Sequence, residues 1–419
     1  MLSCPSWTES NAQVWLDFLH GAPKDELICS FKYPSKLTYL SNEAAMAVAY
    51  VTALRGIGSV SPNPLVGCVA ISRDNLFLSH GAHLKNGESH AEVNCLTALE
   101  NQEIQNAKVF VTLEPCAHHG RTPPCAEFLS KLPFEELHYL QRDPDSRVDG
   151  RGIELIKDAG KKVFLLDAMS ELGAELAEIF LWNKREDSPF IGAKIAMTEA
   201  GAYAFAKSSR TWITGQRARE HGRFLRLYYD AILVGSSTAV LDDPMLDVRS
   251  SFVNGRIPWR IVLDPENVVP LTANIFKVSP ERVIHFVTAK SSSPGPRVVT
   301  QDVRNEVQED AHGDDGRSSH IIHLNMNSQG QFEWQDVIRA VKSFSIYSIL
   351  LEGGNGVWSS AWQAGVINKL HLYVGQSRLV QDKLALLTDV PQKAKWNPED
   401  KERHRFGIDR YFEIVNSAV

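Results

Sequence analysis

Cysteine is scarce in this sequence, with six in 419 residues. That excludes a disulfide-built scaffold and reads as a chain with reduced thiols, in the cytoplasm. Long apolar runs are also missing. None reaches the ~18 residues a membrane-crossing helix needs. The opening MLSCPSWTESNAQVWLDFLH lacks the basic start and the continuous apolar stretch of a secretory signal. There is no surplus of positive charge either. Lys and Arg total 44 against 50 Asp and Glu, a net charge of −6, which speaks against a nucleic-acid partner. What is present is ordinary globular composition, 43% hydrophobic and 22% charged, in a length that suits two or three domains.

Residues 1–40 read as an extension rich in Pro, Ser and Lys, with one amphipathic stretch at Ala12–Leu19. Ordered structure is predicted to begin at Ser41, a fair N-cap for a helix that Gly56 and Gly58 stop. From there strands and helices alternate. Val66–Ile71, Lys108–Leu113, Glu136–Leu140 and Lys162–Leu166 read as strands, with helices starting near His90, Pro124 and Arg151. A helix over Met169–Lys184 bridges to a second block, whose strands are Phe190–Ala196, Ala231–Val234, Arg260–Leu263, Ile284–Val287, Ile321–Leu324 and Ser348–Leu351. A helix at Gln216–Tyr229 lies between the first two, and the polar run Gln308–Ser319 reads as a surface loop. The expected organisation is an extension (1–40) and two α/β domains (41–186 and 187–419).

The sharpest chemical signal is His-Ala-Glu at 90–92, followed by Pro115-Cys116 and Cys125. An imidazole and two thiolates form the donor set zinc prefers, with a fourth position left for water. Zinc makes that water acidic enough to attack an electron-poor ring carbon. Glu92 sits two residues from His90, where it can take the water proton and pass it to a leaving amine. The pattern is that of the zinc nucleobase deaminases. Eight residues, AHHGRTPP, separate the two cysteines instead of two. His118 or His119 could close the site with a fourth ligand and make the metal structural. Cys68 and Cys95 read as core thiols, and Cys4 and Cys29 as incidental.

PNPLVG (62–67), HLKNGESHAEV (83–93), VTLEPCAHHGRTPPC (111–125) and DGRGIELIKDAG (149–160) resemble the deaminase half of the bifunctional riboflavin-biosynthesis deaminase/reductases. The resemblance implies a cytidine-deaminase-like three-layer domain, with His90, Cys116 and Cys125 holding zinc and Glu92 shuttling protons. The implied substrate is a small pyrimidine ribosyl phosphate, 2,5-diamino-6-ribosylamino-4(3H)-pyrimidinone 5′-phosphate. Asn63, His83 and Lys85 would hold its ring and ribose phosphate. Arg121 is a further cation that could pair with the phosphate.

The second block has no GxGxxG after its first strand. It does carry LLEGGNG (350–356), whose glycines allow close approach to a pyrophosphate. With KIAMTEAG (194–201), TWITGQRAR (211–219) and DAILVGSSTAVLDDPMLDVR (230–249), it resembles the reductase half of the same family. This implies a dihydrofolate-reductase-like domain that uses NADPH. By the resemblance, Ala196, Trp212, Thr238, Asp242 and the segment Gly354-Asn355-Gly356 onward contact the cofactor. Arg226, Leu246, Arg249 and Glu352 would contact substrate, the arginines as phosphate clamps. The family's usual Asp is Ala200 here, and a Ser two residues before the Trp is Arg210, which can itself bind phosphate. A deaminase with an inactive reductase-like domain is therefore the alternative reading. A nucleic-acid deaminase is opposed by the charge, the cysteine spacing and the second domain. A homo-oligomer is compatible with the sequence.

Overall fold

The structure, a computed structural model, describes residues 3–118, 123–143, 150–198, 212–248, 256–289, 319–375 and 402–415. The chain divides into two compact units, 1–187 and 188–419.

The first unit starts earlier than the sequence pattern suggested. Helices α1 (Ala12–Gly21) and α2 (Lys24–Ser30) lie within the supposed extension. Asn11 caps α1 by accepting the Gln13 N–H at 3.0 Å. Trp15, Leu16, Phe18 and Leu19 are buried. Trp7 stacks on Trp15, Phe31 meets Trp7 edge-on, and Tyr33 stacks on the His80 ring. Polar composition hid this because few residues carry the burial, chiefly Trp15, Phe18 and four leucines, Leu16, Leu19, Leu27 and Leu40.

Helix α3 (Asn42–Ala53) is capped by the Ser41 hydroxyl, which accepts the Ala44 N–H at 3.0 Å. It is buried from Ala44 to Ala53, and its alanines let a strand lie against it. β1 (Gly67–Ile71) does so at Gly67, where a Cβ would fall 2.0 Å from the Ala49 carbonyl oxygen. There follow β2 (Phe77–Ala82), α4 (Ala91–Leu96), α5 (Asn101–Ile104), β3 (Lys108–Leu113), α6 (Cys125–Ser130), β4 (Glu136–Gln141), α7 (Arg151–Asp158), β5 (Lys162–Leu165) and α8 (Ser170–Arg185). The sheet order is β2-β1-β3-β4-β5, antiparallel among the first three and parallel among the last three. Alternate strand residues face opposite layers. Cys68, Ala70, Val109, Val111 and Leu137 pack with α4, α6 and α7, while α3 and α8 contact the sheet as the other layer. Cys68 and Cys95 are indeed core thiols, and Cys4 and Cys29 are exposed.

The second unit comprises β6 (Phe190–Thr198), α9 (Gln216–Phe224), β7 (Ala231–Gly235), α10 (Ser236–Leu241), β8 (Trp259–Asp264), β9 (Val283–Thr288), β10 (His320–Leu324), α11 (Trp334–Lys342), β11 (Ser348–Leu351), α12 (Asn355–Gln363), β12 (Lys369–Gly375), β13 (Glu402–Phe406) and β14 (Asp409–Val415). They form one sheet in the order β10-β9-β8-β7-β11-β6-β12-β14-β13. It is parallel from β10 to β12, and the hairpin β13–β14 joins antiparallel. One face packs Ile191, Leu233, Ile261 and Phe286 against Trp334, Val337 and Trp358 of α11 and α12. Most of the loop expected at Gln308–Ser319 lies outside the described residues, as do the residues after Gly375 in LHLYVGQSRLV. No helix among the described residues is long and apolar enough to cross a membrane.

Candidate active sites

Strand β3 ends on Leu113, and the chain turns through Glu114 and Pro115 to Cys116. Helix α6 opens with Cys125, and α4 opens with His90 as its N-cap. The ligand atoms of His90, Cys116 and Cys125 all lie within 4.8 Å of one another. His90 Nδ1 is 3.2 Å from Cys125 Sγ and 3.7 Å from Cys116 Sγ. A tetrahedral zinc with bonds of about 2.3 Å to sulfur and 2.0 Å to nitrogen spaces such atoms about 3.5–3.8 Å apart. The donor types and separations fit that ion.

The electrostatics of the trio also suit a cation. The Cys116 thiol is pulled down to about 4 by its hydrogen bonds with Cys125 and His90. Cys125 is pushed up by that shared contact and by burial, and His90 is raised by its bond to Cys116. One thiolate and a proton-hungry imidazole thus compete for protons that a metal would displace. Glu92, buried in the first turn of α4, is raised by burial, the environment of a carboxyl that must both accept and release a proton. His118 does not join the three ligands among the described residues, and His119 and Arg121 lie outside them.

Asn63 and His83 adjoin the trio. The His83 ring lies 5.2 Å from that of His90. Its Nδ1–H donates to the Ser89 carbonyl at 3.1 Å, so Nε2 accepts from Asn63 Nδ2 at 3.1 Å. Burial holds the His83 pKa below its usual value. Lys85 is different: it is exposed, with Nζ 3.6 Å from Glu88.

In the second unit, the parallel neighbours β7 and β11 each end in a turn into a helix. Those turns meet where the Gly354 N–H donates to the Thr238 hydroxyl at 3.2 Å. A Cβ at Gly356 would meet nothing within 4 Å, leaving the start of α12 open. Ala196 is half-buried on β6, and Asp242 is exposed. Trp212 is half-exposed under the Arg219 guanidinium, 4.4 Å from its ring centroid. Leu246 is buried, with its side chain in the core beside Ile232 and Val262. Arg226 and Glu352, both expected to contact substrate, here pair with each other at 2.6 and 3.0 Å. Both are largely buried, and a buried charge needs its counter-charge. Lys194 Nζ lies 3.9 Å from Glu352. The motif KIAMTEAG alone assigns this lysine no role, although a Lys in an otherwise apolar strand is a signal. Arg210, Arg249 and Ala200 lie outside the described residues, as does the Asn355 side chain.

Comparison with known proteins completes the picture. The family model described as the cytidine and deoxycytidylate deaminase zinc-binding region matches residues 40–141, and that of the RibD C-terminal domain matches 189–379. The chain is 32% identical over 345 residues to the riboflavin biosynthesis protein RibD of Actinobacillus pleuropneumoniae, spanning 82% of this chain and 85% of that one. Against RibD of Escherichia coli it is 31% identical over 360 residues, spanning 83% and 91%. Among solved structures, Acinetobacter baumannii RibD aligns with a TM-score of 0.70 at 29% identity, over 89% of this chain and 98% of that one. A deaminase/reductase from Thermotoga maritima aligns with the same score at 26% identity, over 89% and 97%. A deaminase unit and a reductase unit in one chain define a bifunctional enzyme of riboflavin biosynthesis. The chain belongs to the RibD family. These matches run through both units, so the reading with an inactive second domain is not favoured.

Proposed function

We propose that the first unit hydrolyses the 2-amino group of 2,5-diamino-6-ribosylamino-4(3H)-pyrimidinone 5′-phosphate, releasing ammonia and the 5-aminouracil. The second unit then reduces the ribosyl group to ribityl with NADPH. The observation that carries the reading is the convergence of His90, Cys116 and Cys125, with Glu92 one helical step away.

His90, Cys116 and Cys125 would hold zinc, which supplies the Lewis acidity that makes water nucleophilic near neutral pH. Glu92 takes the proton from water and delivers it to the departing amine. Its burial raises the carboxyl above the usual carboxylate range. Asn63, oriented by its hydrogen bond to His83, presents its amide oxygen to the pyrimidine edge. Lys85, exposed at the rim, meets the ribose phosphate as a solvated cation.

In the second unit, NADPH supplies the hydride. The Gly354–Gly356 turn and Thr238 would receive its phosphates, with Ala196, Trp212 and Asp242 along the cofactor's path. Arg249 and Arg210 would line the substrate beside the Arg226–Glu352 pair, while the Leu246 side chain stays in the core. Cysteines that form no disulfide suit a cytoplasmic enzyme.

Two assays test the two halves separately. Purified protein should carry about one zinc per chain. Glu92→Ala should keep that zinc while ammonia release falls by about 10²-fold or more. Deaminated substrate should drive NADPH oxidation in wild type and in Glu92→Ala alike. Protein that takes up no zinc and releases no ammonia refutes the first half. Absence of NADPH oxidation refutes the second.

A further inference from the structure

Glu114 is buried immediately after β3, yet it has no part in the chemistry above. Its carboxylate Oε1 accepts the Gly150 N–H at 2.9 Å. Gly150 is the N-cap of α7, at φ +82°, and has no side chain with which to cap its own helix. The cap therefore comes from another element, 36 residues back in the chain.

The first turn of α7 then touches both cysteine-bearing segments. A Cβ at Gly152 would fall 2.1 Å from the Pro115 carbonyl oxygen and 3.5 Å from the Ala126 Cβ. Pro115 precedes Cys116, and Ala126 follows Cys125. The two segments are themselves joined, with Ala126 N–H donating to the Cys116 carbonyl at 3.1 Å and Cys125 N–H to Cys116 Sγ at 3.3 Å. Glycine at 152 is what allows α7 to seat this deeply, and Glu114 holds it there.

We infer that Glu114 is a positioning residue for the metal centre: by capping α7 it seats Gly152 between Pro115 and Ala126 and so fixes the separation of the Cys116 and Cys125 sulfurs. The inference rests on the zinc reading above. A ligand pair held at fixed spacing releases its ion slowly. A pair whose backbone can spread releases it faster, because outer partners of metal ligands typically govern affinity by about 10- to 100-fold.

The test uses the full-length, zinc-loaded protein and follows zinc transfer to a chelating dye, alongside the thiolate-to-metal charge-transfer band of the cobalt-substituted protein. Glu114→Ala should release zinc about 10- to 100-fold faster than wild type, with a shifted cobalt band. Gly152→Ala presses on the same peptide from the other side and should do the same. Glu114→Gln keeps an oxygen for the Gly150 N–H and should fall between them and wild type. Ile156→Ala, which weakens the buried face of α7 and leaves the cap intact, should lower the melting temperature without changing zinc release. Should Glu114→Ala fail to fold, Gly152→Ala and Glu114→Gln decide the matter. Release rates for the foldable variants within about twofold of wild type, well below the effect of outer partners, overturn the inference. So does a Glu114→Ala that merely melts earlier, as Ile156→Ala does. Wild-type protein that takes up no zinc overturns the parent reading instead, a result recognisable before any variant is made.

Discussion

Arg226 grips Glu352 at two points, Nε to Oε1 at 2.6 Å and Nη2 to Oε2 at 3.0 Å, while its Nη1 donates to the Asp247 carbonyl at 2.8 Å. The pair is set at the end of β11, where the Glu352 N–H bonds the Leu233 carbonyl of β7 at 2.9 Å. A substrate phosphate that sought this guanidinium would meet one already engaged by a carboxylate. The pair is thus structural in the resting protein, whatever it does during turnover.

Removing one partner exposes that role. Glu352→Ala leaves a largely buried guanidinium without its counter-charge and should cost the second unit about 3–5 kcal/mol in denaturant unfolding. Burial alone would raise the Glu352 pKa, but Arg226 and Lys194 hold it below the usual value. A carboxylate depressed in the folded state adds stability that is full above its unfolded pKa of about 4.3 and fades as pH falls through the folded value. Acid titration of wild type should therefore show a loss below about pH 4.3 that Glu352→Gln lacks.

His221 predicts a second pH effect. It is buried beside Tyr373, with Nδ1 2.7 Å from the hydroxyl, and burial followed by the nearby His404 lowers its pKa well below 6.5. Between that folded value and 6.5 the unfolded chain binds the extra proton. Stability of the second unit should then fall as pH drops below about 6.5, by up to ~1.4 kcal/mol per pH unit for this one side chain. His221→Leu should reduce the slope of unfolding free energy against pH. An unchanged slope would assign the effect to other groups.

Trp15 is fully buried, and its indole N–H donates to the Glu9 carbonyl at 2.9 Å. Trp15→Ala should destabilise the first unit by about 3–5 kcal/mol, read as a lower melting temperature in calorimetry. Residues 1–40 would be dispensable only if the variant melted like wild type.

Chelation should separate the two activities. Stripping metal with a strong chelator should abolish ammonia release and leave NADPH oxidation on deaminated substrate intact, since no metal-ligand trio occurs elsewhere among the described residues. Zinc added back should restore the first reaction alone.

The metal trio was legible in the sequence because its chemistry depends on residue type and order: an imidazole, two thiolates and a carboxylate at fixed positions. Strand KVFVTL led straight to Cys116, and short apolar runs marked every strand from β6 to β11. Pairings across long separations were not legible. Nothing in the local sequence at Arg226 points to Glu352, 126 residues away, or at Glu114 to Gly150. Of α1 only the amphipathic stretch Ala12–Leu19 is legible, and α2 not at all, for a related reason. Helix α1 packs on α3, and α2 on the turn at Leu54–Gly56 that follows it, so their composition looks like that of a tail until the packing is seen.

The segment before Ser41 also pairs with the edge of the first sheet. Leu37 N–H donates to the Phe77 carbonyl, Phe77 N–H to that of Thr38, and Leu40 N–H to that of Asn75. Anyone excising the deaminase for separate use would cut at residue 40 if guided by the similarity boundary, and would strip a sheet of its hem. The cut would leave the Phe77 N–H and carbonyl at the start of β2 without partners and lengthen the open edge of the sheet, so the excised piece should clump where the one keeping its first forty residues stays dispersed.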